Sequence, residues 1–240
     1  MKKRPDNFFT YKLISSKNTI LFFVLLYISG CFRNISIDDL ISSILAKTKE
    51  NITIYYEDMT DDIPGTSRTL ISKRDGKNLY RKDYFDKSGK ECVSFLSTPQ
   101  NFYIKSILAN GTVRDVSRRS GKKAYVINEY SCNPISEIIF YNKEGFNIII
   151  MADEIINNRI AYALEISSPP EKYKSTWKNT KKKIYKIDKE TGIPISIERI
   201  DNLGKKTLEV NIKKIYVNIP INDEVFDEQF FLKDAQITDN

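Results

Sequence analysis

The 240-residue chain contains no histidine. This absence excludes Ser-His and Cys-His nucleophile pairs and the common histidine-based zinc and iron sites. A glycine-rich phosphate loop, a Walker sequence and a Cys-x-x-Cys pair are missing as well. Glycine and proline are sparse, with nine and eight residues, and neither a linker nor a repeat interrupts the chain. We therefore expect one domain beyond the N-terminal segment, without a cofactor or a metal site.

Carboxylates are the remaining candidates for acid-base chemistry. Glycoside hydrolysis, for example, needs two acids that face each other across a cleft. The candidates lie in turn-like or exposed segments, where a solvated side chain is the expected state: Glu57, Asp58, Asp61, Asp62, Asp153 and Glu154. The first four also lack the spacing of an EF-hand loop. The sequence thus predicts no catalytic residues and a protein that is not an enzyme.

The N-terminus resembles the signal of a bacterial lipoprotein. A basic region with Lys2, Lys3 and Arg4 precedes an apolar run at residues 20–28, which is followed by Ser29, Gly30 and Cys31. This run of about nine residues is far shorter than the ~20 that a transmembrane helix needs. A cysteine after small residues matches a lipobox, so we expect residues 1–30 to be removed and Cys31 to carry lipid.

The predicted processing defines the organisation and the location of the protein. Residues 1–30 are the signal peptide, residues 31–35 a lipidated tether, and residues 36–240 a single domain. The lipid on Cys31 anchors the domain to the extracytoplasmic face of the cell membrane. The whole chain has a net charge of +7, of which the leader holds +4. The remaining charge is ordinary, so no nucleic-acid partner is expected, and the basic clusters at residues 114–123 and 178–183 are interpreted as solvated turns and edge strands.

Two further cysteines, Cys92 and Cys132, form an even pair in an exported protein. They permit a disulfide that closes a loop of about 40 residues. Two buried free thiols agree equally well with the sequence, because nothing in the spacing defines their geometry.

The pattern of apolar residues predicts a helix followed by an antiparallel meander. Residues 36–49 have apolar side chains at helical spacing. Period-two segments then begin at residues 52, 69, 78, 92 and 102, separated by turn sequences such as Asp75-Gly76 and Asn110-Gly111. A second short helix follows Asn133-Pro134 and ends at Gly145, and strands follow at 146–151 and 159–167.

The last third of the chain predicts three long neighbouring strands. Residues 183–200 form a strand, a tight turn at 188–192 and a second strand, and a turn at 202–205 leads into a third strand at 207–217. Asn222-Asp223-Glu224-Val225-Phe226 completes the pattern.

This C-terminal pattern, over residues 183–226, resembles the LolA/LolB-like family of lipoprotein carriers. The resemblance implies a mainly β (α+β) fold: a curved, unclosed antiparallel β-barrel with one or two covering helices and an apolar concave face. With the lipobox, the chain resembles lipid-anchored relatives from spore-forming bacteria that serve germination. Those proteins are non-enzymatic partners of a cell-wall amidase of the spore cortex, which implies an amidase partner and a forespore envelope location.

Two functions are therefore expected. In the first, the anchored protein docks a second exported protein through a sheet edge or its concave face. In the second, it holds a lipid or a lipoprotein acyl chain in the barrel cavity, which needs a continuous apolar face that bulky side chains do not fill. Trp177 and several tyrosines could line a groove or a partner surface, although packing in the core is the ordinary role of aromatic residues on strands.

Overall fold

Most of the chain beyond the N-terminal segment folds into a sheet with short helices against it. The computed structural model describes residues 35–59, 65–233, 235 and 237–239. Cys31 and the predicted signal peptide lie outside the described residues, as do Asp61 and Asp62. Residues 37–240 form one compact unit. Among the described residues, no helix is both long enough and apolar enough to cross a membrane.

The elements follow the predicted order of helix, meander, helices and long strands. The helices are α1 (Ile37–Glu50), α2 (Lys122–Ser131), α3 (Ser136–Lys143) and the single turn α4 (Glu228–Phe231). The strands are β1 (Thr53–Met59), β2 (Thr66–Arg74), β3 (Lys77–Phe85), β4 (Glu91–Ser97), β5 (Asn101–Ile107), β6 (Val113–Ser120), β7 (Asn147–Ile150), β8 (Glu154–Ile156), β9 (Arg159–Ser167), β10 (Lys182–Asp188), β11 (Pro194–Ile200), β12 (Lys206–Val217) and β13 (Ile237–Asp239).

All described strands join one sheet that does not close. Its order is β13-β6-β5-β4-β3-β2-β1-β12-β11-β10-β9-β7, and β8 pairs with β9 beyond the end of β7. The prediction of a mainly β, unclosed architecture is confirmed. One detail differs, because β13 pairs with β6 in parallel while the other described pairs are antiparallel.

Turn chemistry explains where the strands reverse. Asp75 and Gly76 both have positive φ, 52° and 69°, between Arg74 and its partner Lys77. Asn157 and Asn158 likewise have φ of 50° and 62° between β8 and β9. Two consecutive left-handed residues form the two-residue turn that suits the twist of a hairpin, and glycine and asparagine tolerate that conformation best.

One face of the sheet, which we call the helix-covered face, carries Ile54, Ile71, Tyr80 and Tyr185. On α1, Leu40, Ile41 and Ile44 are buried in one cluster with side chains of β9 and β10. Acidic residues in the first turn of α1 and lysines in its last turn interact favourably with the helix dipole. Lys73 of β2 donates a hydrogen bond to the Thr48 carbonyl of α1 at 3.0 Å, which ties the helix end to the sheet.

Helix α2 covers β3 to β6 on the same face. Asn128 is fully buried, and its Nδ2 donates to the Asn78 carbonyl at 2.9 Å and to the Ser97 hydroxyl at 3.3 Å. Helix α3 packs in the same cluster as α1. Three helices therefore cover this face, where one or two were predicted. Helix α2 was missed because only Ala124 and Asn128 of its ten residues are buried, which leaves no apolar periodicity.

The opposite face of strands β2 to β6 is covered by the C-terminal segment. Leu96 and Tyr103 pack there against Phe226 and Phe231. Arg81 Nη1 donates to the Val225 carbonyl at 3.1 Å, and Tyr103 donates its hydroxyl proton to Glu228 at 2.7 Å. The N-terminal half of the sheet is thus enclosed on both faces.

Candidate docking edge and aromatic pocket

The resemblance to lipoprotein carriers implies that a lipid would bind at the helix-covered face. In this structure, side chains fill that face. The cluster beneath α1 and α3 includes the fully buried residues Leu164, Ile166 and Tyr185. Beneath α2 the buried Asn128 makes its hydrogen bonds directly to the sheet. An acyl chain needs an unfilled apolar face, and the described part of this face is filled by side chains.

A buried ion pair makes the helix-covered face less apolar. Lys82 Nζ lies 3.2 Å from Asp58 Oδ2, and the Asp58 side chain is 2% exposed. Ser67 donates a further hydrogen bond to Asp58. Burial raises the pKa of Asp58 above its ordinary value, and Lys82 opposes that effect. The expectation that Asp58 is a solvated turn residue is wrong, because β1 extends to Met59 and pairs with β2 at this position.

The other carboxylate candidates that the structure describes form ion pairs. Glu57 accepts the Tyr55 hydroxyl at 2.6 Å and lies 3.1 Å from Lys214. Asp153 pairs with Lys189, and Glu154 with Lys186. Among the described residues, no group of three or more Cys, Asp or Glu side chains has the arrangement of a metal site. These acids therefore stabilise strands and turns and do not converge on a cleft.

The two cysteines of the domain lie in different surroundings. Cys132 is buried at the end of α2, beside Ile54 and Ile71. Cys92 is half-buried on β4, and its thiol donates to the Tyr84 carbonyl at 3.3 Å. The structure shows both as free thiols. A disulfide between Cys92 and Cys132 in the cell stays a prediction.

The sheet ends at an edge of unusual composition, which we call the β7–β8 edge and define as residues 147–156. Strand β7 pairs with β9 on one side, the Met151 amide donates to the Ala163 carbonyl at 2.8 Å, and β8 continues the pairing with β9. No described strand pairs with the outer side of β7. Alternate residues of β7 therefore present backbone donors and acceptors outward.

Large aliphatic side chains are exposed along this edge. Ile155 is 77% exposed and Ile160, its partner on β9, is 55% exposed. Ile149, Ile150 and Met151 are exposed as well. Several exposed large apolar side chains along one sheet edge are typical of an interaction site. The sequence could not show this, because an exposed isoleucine in a strand has the same period-two pattern as a buried one.

The opposite edge is protected in the usual way. Strand β6 carries Arg114, Arg118 and Arg119, and the short parallel strand β13 pairs with residues 116–118. Charged side chains and short covering strands prevent unwanted pairing at sheet edges. Residues 114–123, interpreted as solvated turns and edge strands, include most of β6, which lies next to the short terminal strand β13. The β7–β8 edge has neither protection along residues 147–151, so the two edges differ in their capacity to accept another strand.

An aromatic pocket of about 410 Å³ opens beside α3. It is lined by Phe140, Tyr141, Phe146, Tyr173, Thr176, Trp177, Thr180, Lys183, Arg199 and Glu209. The Phe146 ring lies 5.1 Å from the Trp177 ring and 5.4 Å from the Tyr173 ring, measured between centroids. Trp177 was named as a groove candidate on sequence grounds, and it lines this pocket while being largely buried.

Comparisons with known proteins bear mainly on the fold. The sequence matches no family model, and no curated protein matches it. An uncharacterized conserved protein from Thermus thermophilus is similar over 83% of this chain and 99% of its own, with 11% identity and a TM-score of 0.56. That similarity shows a shared fold alone.

Two further solved structures are similar at TM-scores below one half. The MucA/MucB complex of Pseudomonas aeruginosa matches over 79% of this chain and 59% of that chain, with 11% identity and a TM-score of 0.49. A putative outer membrane lipoprotein-sorting protein domain from Vibrio parahaemolyticus matches over 80% and 96%, with 14% identity and a TM-score of 0.39.

Proposed function

We propose that this protein is a non-enzymatic binding protein that docks a second exported protein at the β7–β8 edge. The proposal depends on the exposed aliphatic side chains of this edge, on a strand whose outer side pairs with no described strand: Ile149, Ile150, Met151 and Ile155. An extended segment of the partner adds a strand to the edge, with main-chain hydrogen bonds for affinity and alternate side chains against the isoleucines for selectivity.

The partner segment on this proposal is apolar at alternate positions and carries little net charge. The charged groups next to the edge already form pairs: Lys186 with Glu154 at 2.9 Å and Lys182 with Glu165 at 2.7 Å. Because these charges are paired, the surface around the edge has no excess of positive or negative charge that would attract a charged partner. Binding then depends on removing the isoleucines from water, at about 25 cal/mol per Å² of apolar surface.

The finer proposal is that the partner is a cell-wall amidase of the spore cortex and that the protein is of the germination lipoprotein GerS type. It is supported by the resemblance of residues 183–226 and the lipobox at Cys31. Two acyl chains on Cys31 give stable anchoring where one does not. Confinement to the extracytoplasmic membrane surface raises the local concentration of the pair. The alternative, an acyl-chain carrier, is disfavoured by the filled helix-covered face.

Binding of the purified amidase of the same organism to surface-immobilised protein tests the docking edge. The double variant Ile149→Lys with Ile155→Lys places two charges on the edge and is expected to raise the Kd by about tenfold or more. Leu203→Lys is the matched control, because Leu203 is 94% exposed in the β11–β12 turn, away from the edge. Equal Kd values for the edge variant and the control would exclude the edge, and failure of the unchanged protein to bind would exclude the amidase.

Cys31→Ala tests the anchor separately. The unchanged protein is expected to take up radioactive palmitate in cells and to enter the detergent phase on phase separation, whereas Cys31→Ala does neither. Palmitate on the Cys31→Ala protein would show that the lipobox assignment is wrong.

A further inference from the structure

The aromatic pocket beside α3 has one apolar wall that is held in place by hydrogen bonds. The Tyr141 hydroxyl donates to Glu137 at 2.7 Å, and the Tyr173 hydroxyl donates to Glu144 at 2.8 Å. Between these two rings lies Phe146, with its centroid 4.7 Å from that of Tyr141. The ring planes are therefore set before any ligand arrives, which lowers the entropic cost of binding.

The other wall of the pocket is polar and electrically balanced. Lys183 Nζ lies 3.0 Å from Glu209 and 3.2 Å from Glu137, and Arg199 Nη1 lies 3.6 Å from Glu209. Lys183, Arg199 and Glu209 line the pocket, and Glu137 pairs with Lys183 next to it, so this group of four has hydrogen-bond donors and acceptors but no net charge. This balance favours a neutral ligand that has its own hydroxyl or amide groups.

A β-bulge directs Glu209 toward the pocket. Ile197 pairs with Val210 and Glu198 pairs with Leu208, so Glu209 is the extra residue on β12. Bulges commonly re-aim a side chain near a binding site. Here the bulge brings the Glu209 carboxylate to the same pocket that α3 and the segment around Trp177 border.

We propose that this pocket binds a saccharide ring. A sugar has a flat face of C–H bonds, which the negative face of an aromatic ring attracts, and a rim of hydroxyl groups that pairs with carboxylate, ammonium and guanidinium groups. The volume of about 410 Å³ lies within the roughly 300–1,000 Å³ of ligand pockets. An acyl chain is less suited to this pocket, because it would desolvate the Lys183–Glu209 pair without replacing the lost hydrogen bonds.

The single tryptophan of the chain makes the test direct, since Trp177 lines the pocket. The full chain is titrated with chitotriose, a trimer of N-acetylglucosamine, while tryptophan emission is recorded. We expect a saturable change in emission. Tyr173→Leu removes one ring of the apolar wall and is expected to weaken binding by about tenfold. Tyr173→Phe keeps the ring, loses only the hydroxyl contact to Glu144, and is expected to bind within about threefold of the unchanged protein.

Calorimetry with chitotriose provides a second readout, and circular dichroism shows that each variant is folded. The proposal is overturned if chitotriose gives neither heat nor an emission change, or if Tyr173→Leu binds as tightly as Tyr173→Phe. It is also overturned if laurate saturates the same signal and displaces chitotriose, which would identify an acyl-chain site. The edge variant Ile149→Lys with Ile155→Lys is expected to bind chitotriose normally, because the pocket and the docking edge are separate sites.

Discussion

Lys82 Nζ lies 3.2 Å from Asp58 Oδ2 on the helix-covered face of the sheet, where the two strands β1 and β3 flank β2. An ion pair in the middle of this face is incompatible with an apolar trough for a lipid. This pair therefore reduces the apolar surface that the helix-covered face could offer to an acyl chain.

Lys82→Met is expected to destabilise the protein by about 3–5 kcal/mol, because it leaves the Asp58 carboxylate buried without a cation. Urea unfolding followed by circular dichroism measures this change in the free energy of unfolding. Adding Asp58→Asn to Lys82→Met removes the unpaired charge and is expected to recover most of the loss.

The exposed pair Lys214–Glu57 is the matched control for that measurement. Lys214 is 56% exposed and lies 3.1 Å from Glu57. Lys214→Met is expected to change the free energy of unfolding by less than about 1 kcal/mol. A loss as large as that of Lys82→Met would contradict the assignment of the Lys82 effect to burial.

The stability of the protein is expected to fall in acid partly through Glu137. Burial by itself raises the pKa of Glu137, but Lys183 and the hydroxyl groups of Tyr141 and Tyr185 outweigh it and hold the pKa below the ordinary 4.5. A carboxylate with a lowered pKa in the folded state stabilises the fold above its unfolded pKa, and this contribution is lost as the pH falls through the folded value.

Glu137→Gln is therefore expected to be less stable at pH 7 and to show a shallower loss of stability below about pH 4.5. Part of the acid dependence remains in this variant, because the pKa values of Glu57 and Glu198 are also lowered. Unfolding midpoints in urea at a series of pH values measure the effect. An unchanged slope below about pH 4.5 would show that Glu137 does not contribute to the acid dependence.

The two thiols are expected to differ in reactivity in the folded protein. Burial raises the pKa of Cys132 to about 12, with Lys73 opposing the effect, so its reactive thiolate is scarce at neutral pH. Peptide mapping after labelling with iodoacetamide is expected to find Cys92 modified faster than Cys132. After unfolding without reductant, both should be modified, and a peptide pair cross-linked through Cys92 and Cys132 would establish the disulfide.

Much of the sheet could be predicted from local chemistry. The Asp75-Gly76 turn and the Asn157-Asn158 turn each need two consecutive residues in the left-handed conformation. Asp-Gly and Asn-Asn adopt it readily, so these sequences predict a hairpin. Strand β9 occupies residues 159–167 as predicted, and Gly145, with φ of 80°, ends the segment after α3. These turns and strand ends depend only on neighbouring residues, so they can be predicted from one sequence.

The candidate sites could not be predicted because they depend on distant parts of the chain. Phe146, Trp177 and Glu209 line the pocket from three separate segments of the chain. Glu209 is the extra residue of a bulge, and no residue type in the sequence predicts that bulge. Strand β6 was missed for a related reason. Its arginines and serines mask the period-two pattern, and only Val116 is buried. Tertiary pairing, and not local propensity, determines both features.

Hydrogen exchange of the protein, alone and with the proposed amidase partner, tests the docking edge most directly. We expect outward-facing amides of residues 147–156 to exchange freely in the protein alone and to become protected when the amidase binds, while amides of the β11–β12 turn around Leu203 are unchanged. Protection that leaves residues 147–156 unaffected and appears elsewhere on the domain would contradict docking at the β7–β8 edge.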